Sequence, residues 1–96
     1  MNLSDKLINE IKAYLDMTWN LTEQEVAKLT GIINRGMQYL DTVAGITQNY
    51  EKEGQAKALL MDYVRYVRSN AFDEFQTNYL HELLTFQMIQ GGGGDD

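Results

Sequence analysis

Between Leu21 and Gly45 the apolar residues Val26, Leu29, Ile33, Met37, Leu40 and Ala44 advance in steps of three and four, never two. That spacing places them along one side of an α-helix, whereas strand side chains alternate between faces. Thr22 and Glu25 have the spacing of a capping box, with Leu21 and Val26 as the flanking staple. Gly45 is suited to the left-handed cap that ends many helices. A second stripe, Ile32, Tyr39 and Val43, lies beside the first, so this helix is expected to be covered on more than one side. Gly31 and Gly36 each cost a helix about 1 kcal/mol relative to Ala. Either packing elsewhere offsets that cost or a neighbouring helix or chain approaches closely.

The rest of the chain follows the same period. A first helix is expected from Asp5 to Met17, with Ser4 as N-cap and Leu3 and Ile8 as a staple. Ile8, Ile11 and Leu15 form its stripe, widened by Leu7 and Tyr14. Trp19, in the first connection, is expected to fold back onto the core. A third helix begins near 49–53 and ends at Ser69 or Asn70, on a stripe of Ala56, Leu60, Tyr63 and Val67. Asp73 and Gln76 have the spacing of a capping-box start for a fourth. Phe72, Phe75, Tyr79, Leu83 and Phe86 are its core stripe, with Leu80 and Leu84 alongside. The expected fold is all-α: a compact bundle of about four helices over residues 1–90, followed by a flexible Gly-rich tail over 91–96. No strand-like alternation and no internal repeat is visible.

Composition narrows the function. The chain has 96 residues, one domain's worth, and its hydrophobic content of 44% is ordinary for a globular protein. It has no cysteine and no proline. Disulfides and thiolate metal sites are therefore excluded. The 14 acidic and 8 basic residues give a net charge of −6, a poor basis for gripping a phosphate backbone. The opening MNLSDKL lacks the pattern of a signal peptide, and no apolar run is long enough for a membrane span. A soluble protein made in the cytoplasm, with no membrane partner, is expected.

No grouping of residues points to catalysis, a cofactor or a metal. His81, the only histidine, faces away from the fourth helix's stripe, toward Asn78 and Thr85, a poor ligand set. The carboxylate pairs Glu23/Glu25, Glu51/Glu53 and Asp73/Glu74 are expected on solvated faces, where nothing raises a carboxyl pKa. Gly91–Gly94 lacks the Lys and Ser/Thr of a phosphate loop. The densest basic-aromatic patch is Arg65 and Arg68 with Tyr63 and Tyr66. It reads first as arginines paired within the subunit, and second as a protein interface, where Arg and Tyr are favoured anchors. Six Tyr, three Phe and one Trp exceed what four short helices can centre in one core. A second, intermolecular surface is expected.

The order LINEIKAYLDMTW, LTGIINRGMQYLDTVAG and EGQAKALLMDYVRYVRSNAFDEFQTNYLHELL resembles the small head–tail connector (adaptor) proteins of long-tailed bacteriophages and of prophages in Gram-positive bacteria. The likeness runs from Leu3 to Leu84. It implies a helical subunit of a ring, commonly a dodecamer, seated beneath the portal at the head–tail interface of the virion. Such a ring extends the DNA channel and presents a platform for a tail or stopper protein, with phage DNA only as passing cargo. Interface candidates, from surplus apolar and basic positions, are Ile32, Arg35, Tyr39, Arg65, Tyr66 and Arg68. Phe86, Met88 and Ile89 join them as a terminal segment expected to be loose until assembly. The competing reading is a free-standing helical module or regulator that docks one partner protein. A helix–turn–helix DNA reader fits less well, because Lys28 and Arg35 are isolated cations.

Overall fold

The Ser4 hydroxyl accepts a hydrogen bond from the Leu7 amide at 3.0 Å and opens α1, Asp5–Tyr14. The computed structural model describes residues 4–17 and 19–92. Leu3, the other half of the expected staple, and most of the Gly-rich tail lie outside the described residues. α1 stops earlier than its periodicity predicts. Asp16 takes a left-handed φ of 58°, and the amides of Asp16 and Met17 close back onto the carbonyls of Ala13 (3.1 Å) and Lys12 (2.9 Å). This is a Schellman closure, with a short polar residue in the position that glycine usually fills.

α2, Glu23–Ala44, begins as expected: Thr22 and Glu25 exchange hydrogen bonds of 3.1 and 2.9 Å between side chain and amide. Gly45 ends it at φ 84°. α3, Gln55–Arg68, ends on a second Schellman closure. Asn70 has φ 59°, and the amides of Asn70 and Ala71 return to the carbonyls of Val67 and Tyr66. Its N-cap, Gly54, brings no side chain to the first turn.

The expected fourth helix is two. α4, Phe72–Asn78, and α5, Leu80–Gln87, meet at Tyr79, and a π turn, Met88–Gly92, follows. The Asp73/Gln76 capping box does not form; the N-cap is Ala71, with no side-chain bond. α4 packs on α3, whereas α5 and the π turn pack on α2. The bend at Tyr79 redirects one apolar stripe from the first partner to the second. No Gly or Pro marks it, because tertiary packing imposes it.

α1 runs alongside α3 in the same direction: Ser4 bonds Glu51, Glu10 bridges Lys57 at 2.7 Å, and Tyr14 bonds Asp62. α2 meets α3 at Gly36, where a Cβ would stand 2.6 Å from the Tyr63 ring and 2.8 Å from Leu60. Gly36 is thus the close approach that a helical glycine implies. Leu7, Ile11, Ile33, Leu40, Leu60, Val64, Phe75 and Phe86 form the fully buried centre. Rings of Tyr39, Tyr63, Phe72 and Phe75 pack against one another with centroids 5.4–6.3 Å apart. Among the described residues there is no strand, and no helix is long and apolar enough to cross a membrane.

Two buried polar groups were not foreseen from the sequence. Tyr50, expected only as part of a loop, is buried beneath the α2–α3 connection. Its hydroxyl donates to Asp41 Oδ1 at 2.7 Å, with the Met37 carbonyl oxygen 3.1 Å away. Asp41 also accepts from the Gln48 amide at 3.0 Å, so one carboxylate holds both the loop backbone and the ring beneath it. Lys57 is only 3% exposed, and its ammonium sits 2.7 Å from both Glu10 and Glu53. A buried ammonium needs such partners, since desolvation would otherwise expel it.

These groups are expected to make the fold sensitive to alkali. Burial, then the Asp41 carboxylate, raises the Tyr50 hydroxyl pKa. Burial, then Asp62, pushes Tyr79 up to about 12. Glu10 and then Glu53 raise Lys57. Above about pH 10 the unfolded chain sheds these protons first, so rising pH favours unfolding. The urea midpoint is expected to hold steady from pH 7 to 9 and to fall as pH rises from about 10 to 12. Tyr50→Phe should flatten that fall while costing about 1–2 kcal/mol at pH 7. A midpoint independent of pH up to 12 would contradict the assigned hydrogen bonds.

Candidate functional site

Three surface features concentrate the chemistry. The first is an open cleft of about 430 Å³ between the N-terminal half of α2 and the C-terminal end of α3. Met17, Leu29 and Ile32 give it an apolar floor, and Lys28, Arg35 and Arg68 are cations on its rim. The helical period builds it: Glu25, the pair Lys28 and Leu29, Ile32 and Arg35 follow one another along one side of α2 in steps of three or four. The Gly31 Cα leaves room for the Arg35 guanidinium, which would lie 3.4 Å from a Cβ at that position. None of the three cations pairs with a carboxylate among the described residues. Trp19, also at the cleft, is 51% exposed and does not fold into the core as expected. The Schellman closure of α1 releases the chain early, which leaves the indole beside the cleft. Val26 is likewise more exposed than its stripe predicts.

The second feature is a ridge along α5 and the π turn. Leu80, Leu84 and Met88 follow at intervals of four, 56%, 50% and 66% exposed, and Ile89 beside them is 63% exposed. Leu83 and Phe86 take the other side of the helix into the core. Phe86 is completely buried, so its placement with the loose terminal residues is corrected. It is an anchor of α5 against α2. Met88 and Ile89 are the exposed ones. Leu80 and Leu84, read from the sequence as flanks of the core, are the missed members of the surface. An i, i+4 pair beside a core stripe was visible in the sequence. The angle of α5 against α2 decided which stripe went inside.

The third feature is polar and aromatic. Tyr14 bonds Asp62, Arg65 lies 3.6 Å from Asp62, and the Arg65 guanidinium sits 4.9 Å from the Tyr66 ring centre. Tyr79 stands 3.5 Å from Arg65. The hydrogen bond to Asp62, more than burial, raises the Tyr14 hydroxyl pKa. Here Arg65 is paired with a carboxylate of the same chain. The cluster ties α1, α3 and the α4–α5 bend together, and its bonds are spent internally.

The structure therefore brings Ile32, Arg35 and Arg68 together at the cleft. Ile32 is buried there as floor and is not a free surface residue. Arg65 and Tyr66 join the third feature, and half-buried Tyr39 stacks on Tyr63 at 5.8 Å. Of the proposed interface residues, Met88 and Ile89 stand on the ridge. His81 is exposed on α5. Among the described residues no three His, Cys, Asp or Glu side chains gather as a metal site.

Comparison with protein-family models, with curated proteins and with solved structures gave no match to this chain.

Proposed function

We propose that this chain is a structural head–tail connector subunit of a bacteriophage or prophage particle. It assembles as a ring beneath the portal, extends the DNA channel and receives the tail or stopper protein. The observation that carries this reading is the ridge of Leu80, Leu84, Met88 and Ile89, four large apolar side chains each at least half exposed on one helix and its terminal turn. Apolar area of that kind is stabilised by a protein partner and is otherwise an aggregation liability. The resemblance to the connector family over Leu3–Leu84 is what points the reading to this assembly. The net charge of −6 suits a channel through which DNA slides without being held.

The test is light scattering on the chain alone and with a portal protein from the same genome, followed by imaging of any complex. A multi-subunit collar on the portal is expected, with the chain present in purified particles. A one-to-one complex with a single non-virion protein would establish the free-standing binding module instead. A chain that never associates with portal or particle overturns the connector reading.

A further inference from the structure

The cleft and the ridge share no residue, and they are complementary in kind. Of the 14 acidic and 8 basic residues, Glu25 and three cations line the cleft, which leaves 13 acidic against 5 basic over the rest of the chain. Two of those five, Lys57 and Arg65, are already paired with carboxylates of the same chain. Two copies therefore repel each other over most of their surfaces, and the cleft is where an acidic face is attracted. The segment 72–90, which carries the ridge, holds Asp73, Glu74 and Glu82 and no lysine or arginine. It offers exposed leucines on an acidic segment. The cleft offers an apolar floor, a half-exposed indole and three cations with no carboxylate partner among the described residues.

We infer that the α5 ridge of one copy seats in the α2–α3 cleft of the next. Leu80 and Leu84 cover Trp19 and the apolar floor, and Lys28, Arg35 and Arg68 meet the carboxylates of the neighbour's α4–α5 arm. Because donor and acceptor surfaces differ, the contact is heterologous. Repeated, it closes into a ring or runs on as a filament. The inference rests on the connector reading for the ring's purpose, and on charge and exposure alone for the contact.

The test uses two variants at exposed positions, each checked for wild-type helicity by circular dichroism. Arg35→Glu/Arg68→Glu disables the cleft, and Leu80→Gln/Leu84→Gln disables the ridge without adding charge. Wild-type chain should self-associate at about 1 mM, where even a weak contact registers. That association should weaken as salt screens the rim charges. Each variant alone should associate about 100-fold more weakly. An equimolar mixture retains one intact cleft and one intact ridge, so it should form a heterodimer and stop there. Wild-type association by both variants, a mixture that forms nothing, or a wild-type chain monomeric at that concentration each overturns the contact. Binding of a labelled DNA duplex that is lost in Arg35→Glu/Arg68→Glu, with self-association intact, would reassign the cleft to nucleic acid. The two proposals fail separately: variants that still form collars on the portal sink this contact alone, and self-association through the cleft without portal binding sinks the connector reading alone.

Discussion

Phe86→Ala is expected to lower the unfolding free energy by about 3–5 kcal/mol, the cost of emptying a fully buried phenylalanine site. For a domain with a total stability of about 5–15 kcal/mol, that is a large share. Phe86 is completely buried and anchors α5, which packs on α2. Its loss should loosen the π turn together with α5. Leu84, two residues away, is 50% exposed, and Leu84→Ala should change stability by less than about 0.5 kcal/mol. Urea denaturation of both variants measures the contrast. Equal effects would mean that α5 is rotated relative to the arrangement described.

The second large effect concerns two glycines with opposite signs. At Gly36 an added Cβ meets the Tyr63 ring at 2.6 and 2.9 Å and Leu60 at 2.8 Å. Tyr63 cannot swing aside, because Tyr39, Phe72 and Phe75 rings pack around it. Overpacking of this kind costs about 1–3 kcal/mol, against a helix-propensity gain of about 1. Gly36→Ala should therefore destabilise by up to about 2 kcal/mol. At Gly31 the nearest atom is the Arg35 guanidinium at 3.4 Å, the far end of a flexible chain. Gly31→Ala should stabilise by about 0.5–1 kcal/mol. Thermal melts of the pair that move in the same direction would contradict the α2–α3 crossing.

Both contrasts mark where sequence reasoning stops. The spacing alone showed that both glycines are helical. Which of them faces α3 depends on the rotation of α2, and no local signal encodes it. The same holds for Phe86 and Leu84, which lie on adjoining apolar stripes of one helix. Lys57 and Tyr50 were missed for a different reason. Their burial depends on Glu10 and Asp41, partners 47 and 9 residues away in sequence. The cleft was legible in part: Ile32 and Arg35 stood out on α2, and Arg68 on α3. Their convergence required the antiparallel packing of the two helices, and Trp19 joined them because Asp16 turned the chain early.

By itself the sequence determined the all-helical class, the capping box of α2 and the glycine that ends it. Those are set by hydrogen bonds and backbone preferences within a few residues, so they are written locally. Tertiary structure decided the bend at Tyr79, the choice of buried stripe on α5 and the pairing of Lys57. Each depends on which surfaces meet, and that is fixed only when the helices compete for the same limited core.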